Sequence, residues 1–364
     1  MKELCAIYNF APHYRQSIFK LIDKTYYCHW YFGKNNHNIK KMDYSVLSGD
    51  VTEVEISYFK GLSFQHGILK LLREYDCFLI TGDSRSLSTW LFLILSRYYK
   101  NKKVYLWTHG MYGKEKWVEK FIKYHIFKLS DGIFLYNNRS RNLMIELGFK
   151  SNKLHVIYNS LNYDYHVELR NKIKPSRIFQ EYFKNEYCNL LFIGRLTQIK
   201  NLDMILYAMA ILRKRSINVN MTFIGDGEED EKLKLLTRQL HLENSVWFYG
   251  ACYNETINGE FIYNSDLCIA PGNVGLTAVH SMVFGTPVIT HNKFELQMPE
   301  FEAIIPNKTG DFFNYGEVDS LASKIQSWFK KIDYNRMTIR EDCYREIDAH
   351  WNPHKQIEVL KNVI

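Results

Sequence analysis

Short apolar runs alternate with amphipathic stretches of helix length along this chain, and the alternation lapses once and then restarts. In the first half the apolar runs fall at 4–8, 77–81, 103–107, 132–136 and 154–158. Helical patterns lie between them, near 15–23, 65–74, 86–98, 116–129 and 138–147. In the second half the runs are 189–193, 218–224, 246–249, 267–270 and 287–290, with helices near 201–213, 229–240, 255–263 and 276–284. The end reads as helix near 317–330, 334–348 and 353–362, with Pro353 suited to a first helical turn. Strands alternating with helices of this length build βαβ units and parallel sheets. Segment 32–60 is weaker and reads as a short strand or two between polar loops. The charged stretch from about 159 to 185 has no clear apolar period and reads as a linker.

A chain of 364 residues is long enough for two such domains. The expected division is an N-terminal Rossmann-like domain at 1–170 and a second at 171–345. A last helix at 346–364 is expected to pack back towards the first. In doubly wound sheets ligands bind beyond the carboxyl ends of strands, so a cleft between the two domains is the default site. An apolar content of 46% excludes disorder as the main state. The longest apolar stretch, at 91–95, is far short of the roughly 20 residues that span a bilayer. Residues 1–20 lack the order of a signal peptide. Seven scattered cysteines with no C-x-x-C indicate neither a disulfide framework nor a zinc knuckle. The expectation is a cytoplasmic chain.

Charge is uneven. Residues 1–170 hold 25 basic against 15 acidic side chains, and 171–364 hold 22 against 24. A basic first half points to an anionic partner, nucleic acid or a membrane surface, or else to a solvated basic face.

Four constellations sit at strand ends. Gly194-Arg195 follows the 189–193 run, and Lys200 comes shortly after; two cations beside a helix start suit a diphosphate. Gly272, Asn273, Val274, Gly275 and Leu276 follow 267–270 and open onto a helix carrying His280. The glycines allow close backbone approach to a ligand, or serve a plain strand–helix turn. Gly225-Asp226-Gly227 is a third strand–helix turn. His109 stands just past the 103–107 run, where a histidine can orient a substrate or move a proton.

Taken together these residues resemble the large retaining family of GT-B glycosyltransferases, group 1 type, which includes many bacterial polysaccharide and lipopolysaccharide transferases. Gly194-Arg195-Leu196 with Lys200-Asn201 is similar to that family's phosphate-binding motif. Phe223 to Gly227 resembles its glycine turn, Phe248-Tyr249-Gly250 the strand and loop beside the nucleotide base, and 266–289 the donor strand, loop and helix. Pro299 to Gly310 resembles a later loop. The implied fold is α/β, GT-B, with two doubly wound Rossmann-like domains facing a central cleft.

The resemblance implies catalytic roles for His109, Arg195 and Lys200. It implies donor contacts from Gly194, Gly225, Gly250, Gly272, Asn273, Val274, Gly275, Leu276, His280 and Glu302. Acceptor contacts would come from His13, Arg15 and Arg85. It further implies retention of anomeric configuration, a nucleotide-sugar donor as cosubstrate, no cofactor and no metal. The chain departs from the family at one place. Two glutamates usually stand where this sequence has Gly272 and His280. His280 can still hold ribose hydroxyls through a ring nitrogen, whereas Gly272 offers only backbone.

The expected acceptor is a saccharide or a polyprenyl-linked acceptor at the inner face of a bacterial membrane. Lys116, Lys120 and Lys123 at helical spacing, with Trp117, Phe121 and Tyr124 on an adjacent face, suit peripheral contact with an anionic bilayer. The other reading of this helix packs its aromatics on the sheet and solvates its lysines. Three rivals differ in class. One is a catalytically silent GT-B protein that binds a nucleotide sugar or supports a partner transferase. A nicotinamide dehydrogenase lacks its glycine fingerprint after the first strand. A nucleic-acid binder lacks any recognition motif.

Overall fold

The structure is a computed structural model that describes residues 1–34 and 40–364. It divides into two compact units, Met1–Asn162 with Asn352–Ile364, and Tyr163–Trp351.

The first unit is built on a parallel sheet of β1 (Glu3–Tyr8), β2 (Tyr27–Gly33), β3 (Asp50–Val54), β6 (Cys77–Thr81), β7 (Lys103–Thr108), β8 (Gly132–Leu135) and β9 (Leu154–Val156). The hairpin β4 (Ile56–Phe59) and β5 (Leu62–Gln65) stands apart from it. The sheet order is β3-β2-β1-β6-β7-β8-β9. Both faces are buried, as a parallel sheet requires. Leu4, Ala6 and Tyr8 of β1 enter one core and Cys5 and Ile7 the other, which is the period-two alternation of a strand. Helix α1 (Gln16–Thr25) covers the first core. Helices α2 (Leu87–Ser96), α3 (Trp117–Lys128) and α4 (Asn138–Glu146) cover the second. Ser86 and Asn137 cap α2 and α4 by accepting backbone N–H groups of the first turn.

The second unit opens with α5 (Tyr163–Lys172) and α6 (Ile178–Phe183). Its sheet holds β10 (Cys188–Ile193), β11 (Val219–Ile224), β12 (Val246–Gly250), β13 (Leu267–Ala270), β14 (Val288–His291) and β15 (Gly310–Phe313). All neighbours are parallel, in the order β12-β11-β10-β13-β14-β15. The connecting helices are α7 (Asp203–Lys214), α8 (Asp230–Gln239), α9 (Glu255–Asn264) and α10 (Thr277–Val283). The long α11 (Val318–His350) bends at Asn335, whose φ of −137° leaves the helical range. The last helix, α12 (Pro353–Val363), belongs to the first unit, packs on α1 and is capped by Asn352 with Pro353 in its first turn.

One reading of the sequence is corrected. The stretch 159–185 is not an open linker. It forms α5 and α6, and α5 is locked to α11 by a bidentate pair from Arg170 to Asp348 (3.0 and 2.7 Å). Segment 32–60, of which 35–39 lie outside the described residues, contributes β3, β4 and the end of β2. The aromatic run of β2 was not anticipated. Its Trp30 and Phe32 stack against each other, and the Trp30 indole donates to Asp23 at 2.7 Å.

Candidate active site

In the second unit the strand order reverses between β10 and β13. Such a switch point leaves a crevice beyond the strand ends, where α/β proteins bind ligands. The residues after those two strands meet there. Gly272 N donates to Lys200 O at 2.9 Å. A Cβ on Gly272 would stand 2.1 Å from Ile199 O and 2.6 Å from Lys200 Cα, so only glycine lets the two loops touch. The contact carries the Lys200 ammonium onto the next residue, where Nζ donates to the Asn273 carbonyl (2.6 Å) and side-chain oxygen (2.8 Å). Burial pushes Lys200 down to about 8; the Glu300 carboxylate resists this and the Arg195 cation adds to it. Gly194 and Gly225 make a second close approach, with Gly225 N donating to Gly250 O at 2.9 Å. A Cβ on Gly225 would stand 1.9 Å from Gly194 O.

Gln297 braces the loop after β13. Its side-chain oxygen accepts from Val274 N (2.9 Å), and its amide donates to Thr290 Oγ1 (2.8 Å) and His291 O (3.1 Å). The neighbouring Gly275 has φ +54°, and a Cβ there would stand 3.9 Å from Met298 Cγ and 4.0 Å from Lys200 Nζ. Leu276 caps α10.

His280 lies one turn into α10. Its Nε2 stands 2.8 Å from Glu255 Oε2, and His166 Nε2 stands 3.1 Å from the same oxygen. Burial alone would raise the Glu255 carboxyl, yet the two imidazoles hold it well below the usual carboxylate range. Among the described residues these three are the one group with metal-ligand types close together. Their geometry fits hydrogen bonding better than an ion. The buried Nδ1 of His166 has no partner among the described residues. That suits a tautomer with the proton on Nε2, donated to Glu255. A ligating His166 would need that proton on Nδ1, where none of the described residues accepts it.

The first unit has its own switch point between β1 and β6. A cavity of about 590 Å³ opens there, lined by Arg15, Arg85 and His109 among others. Aromatic rings form much of its wall: Tyr8, Tyr14, Trp107, Tyr112 and Tyr136. The Arg15 guanidinium lies over the rings of Trp107 (5.1 Å) and Tyr136 (5.4 Å). Burial pushes His109 down to about 4, and the charges of Arg15 and Lys123 add to it, so its ring is neutral at pH 7. The hydroxyl of Ser140 donates to the His109 carbonyl at 2.8 Å and fixes that loop.

The structure thus gathers Arg15, Arg85 and His109 around one cavity and leaves His13 out. The His13 ring instead meets the Lys40 carbonyl at 3.2 Å. Glu302 sits on the short turn Pro299–Ala303, but the carboxylate acting on Lys200 is Glu300, 1% exposed. Lys123 is no solvated lysine: it is buried between Glu115 (2.9 Å) and Glu119 (3.0 Å). Trp117 and Phe121 do not pack on the sheet and are 80% and 60% exposed. Sequence reasoning missed Glu255, His166, Gln297 and Glu300. Of these only Glu300 had a signal, its place in the loop from Pro299.

Two units, each a parallel, doubly wound sheet with its own switch point, define the GT-B class. Residues 174–342, most of the second unit, match the family model described as "Glycosyl transferases group 1". It is 26% identical over 219 residues to an uncharacterized 41.2 kDa protein in the cps region of Klebsiella pneumoniae, covering 58% of this chain and 57% of that one. It thus spans less than two thirds of that relative. It is 25% identical over 353 residues to an uncharacterized glycosyltransferase of Methanocaldococcus jannaschii, covering 90% and 84%. Two solved structures share the fold. Anabaena HepE in complex with UDP has a TM-score of 0.72 at 16% identity and covers 100% of this chain and 99% of its own. The lipopolysaccharide outer core galactosyltransferase WaaB has a TM-score of 0.71 at 16% identity, with both chains covered in full. Among the described residues no helix is long and apolar enough to cross a membrane.

Proposed function

We propose that the chain transfers a sugar, with retention and without a metal, from a nucleotide-sugar donor held by the second unit. The acceptor is a saccharide held in the cavity of the first. The observation that carries this reading is the buried Lys200 ammonium, fixed on Asn273 at the β10/β13 switch point with the Arg195 charge beside it. A nucleoside diphosphate leaves with growing negative charge, and two fixed cations stabilise it. Removing one such contact raises the barrier by about 2.7–4 kcal/mol. The UDP complex of HepE supports the donor class, and the relative in the cps region of Klebsiella pneumoniae and the lipopolysaccharide transferase WaaB support a polysaccharide setting. His109, neutral at pH 7, orients acceptor hydroxyls rather than acting as a standing acid.

A lipid-linked acceptor at an anionic membrane accounts for the surface of the first unit. Helix α3 exposes Trp117 and Phe121 beside Lys116 and Lys120, and α2 exposes Leu87, Leu91, Ile94 and Leu95. Apolar side chains flanked by lysines match a bilayer of acidic lipids. Flotation with vesicles of phosphatidylglycerol should carry the protein up, and Trp117→Glu with Phe121→Glu should leave it in solution.

The test of the reaction is thermal stabilisation by UDP-, GDP-, ADP- and CMP-sugars, followed by donor hydrolysis with and without EDTA and NMR of the released anomer. One donor class should stabilise the protein, and Arg195→Ala and Lys200→Ala should each abolish the shift. Stabilisation without turnover would favour the silent binder. No shift with any donor would overturn the diphosphate site.

A further inference from the structure

The cavity of the first unit contains more unanswered polarity than its fold requires. Buried polar atoms normally find partners. Yet Tyr8 Oη, Thr81 Oγ1, Trp107 Nε1 and His109 Nδ1 are buried without a partner among the described residues, and all four belong to residues that line this one cavity. Hydroxyl, indole and imidazole groups facing an aromatic wall match a ligand with many hydroxyls and a ring that stacks.

The charges in the same cavity are divided unevenly. Each carboxylate there is already engaged. Glu115 accepts from the amides of Tyr112 and Gly113 and from Lys123, Glu119 pairs with Lys123, and Asp83 accepts from the Arg85 amide. Arg15 is different. Its guanidinium rests by its face on Trp107 and Tyr136 and makes no ion pair among the described residues. Stacking occupies the face of a guanidinium and leaves the in-plane N–H donors, which match two oxygens of an oxyanion.

On the reading of this cavity as the acceptor site, we infer that the acceptor residue bound there is an anionic sugar. Its carboxylate or phosphate oxygens pair with Arg15, and its ring hydroxyls meet the unpartnered polar atoms. A uronate and a sugar phosphate present the same oxyanion, and the experiment separates them.

Glucuronate, glucose 1-phosphate and methyl glucoside are titrated by ligand-observed NMR into the full chain in a Lys200→Ala background, which removes the donor-site ammonium from the comparison. At least one of the two acids should bind about tenfold or more tightly than the neutral glucoside, the usual scale for a hydrogen bond to a charged group. Which acid does so names the source. Arg15→Gln should erase the difference and leave the glucoside unchanged, and Arg15→Lys should restore part of it; thermal melting checks that both variants fold. Equal binding of acid and glucoside, or a preference that survives Arg15→Gln, overturns the oxyanion and leaves the acceptor cavity standing. No binding of any of the three overturns both.

Discussion

Gly272 lies with its backbone against that of Lys200, its amide on the Lys200 carbonyl at 2.9 Å and its missing Cβ only 2.6 Å from the Lys200 Cα. The glycine that replaces the family's usual glutamate is therefore a contact surface. It holds the loop whose ammonium reaches Asn273.

Restoring the common pattern should then do harm. Gly272→Ala should cost about 1–3 kcal/mol of stability, the usual price of overpacking. Gly272→Glu should in addition abolish donor-induced stabilisation, because the Lys200 loop is pushed away. Urea unfolding and donor thermal shifts check both. A Gly272→Glu protein that binds donor better than the parent would show that the loops do not need this contact.

Donor affinity should fall as pH rises through about 8. Burial brings the folded-state pKa of Lys200 down from 10.5 to about 8, so the ammonium is lost in mildly alkaline buffer. Titration of the bound nucleotide diphosphate between pH 7 and 9.5 should show the dissociation constant rising, and Lys200→Arg should flatten the curve. A flat curve in the parent protein would contradict a charged role for Lys200.

Stability should decline on mild acidification. Burial holds His109 and His291 at about 4, below the ordinary 6.5. Between those values the unfolded chain binds protons that the folded one refuses, so stability is full above about 6.5 and is lost as pH falls towards 4. Each such histidine contributes up to about 1.4 kcal/mol per pH unit in that window. The urea midpoint should drop between pH 7 and 5, and His291→Asn should shallow the slope.

Two lysines of α3 should behave oppositely. Lys123 is buried between two glutamates and Lys120 is exposed. Lys123→Met leaves the nearly buried Glu115 without its cation and should cost about 3–5 kcal/mol. Lys120→Met should stay within about 0.5 kcal/mol. Similar melting temperatures for the two variants would count against the buried pair.

The βα rhythm was legible because aliphatic runs at 4–8, 77–81 and 189–193 become strands buried on both faces. The residues that meet beyond β10 and β13 were legible because glycines and cations at strand ends carry their meaning locally. What stayed hidden depends on distant partners. α5 read as a linker because what anchors it is polar: His166 meets Glu255, and Arg170 meets Asp348. Lys123 read as solvated because its helical spacing says nothing of Glu115, which precedes the helix. Gln297 gave no sign at all, since its use rests on the amide of Val274, 23 residues earlier.

The return of α12 to the first unit makes the second unit an insertion within it. During synthesis every residue of Tyr163–Trp351 therefore leaves the ribosome before the segment that covers α1. The inserted unit can reach its native state on its own schedule. The enclosing unit must wait with Ile18, Phe19 and Ile22 short of their final neighbours Ile357 and Leu360. Waiting apolar surface is what chaperones recognise, so the enclosing unit is where a nascent chain of this kind is most exposed to misassembly.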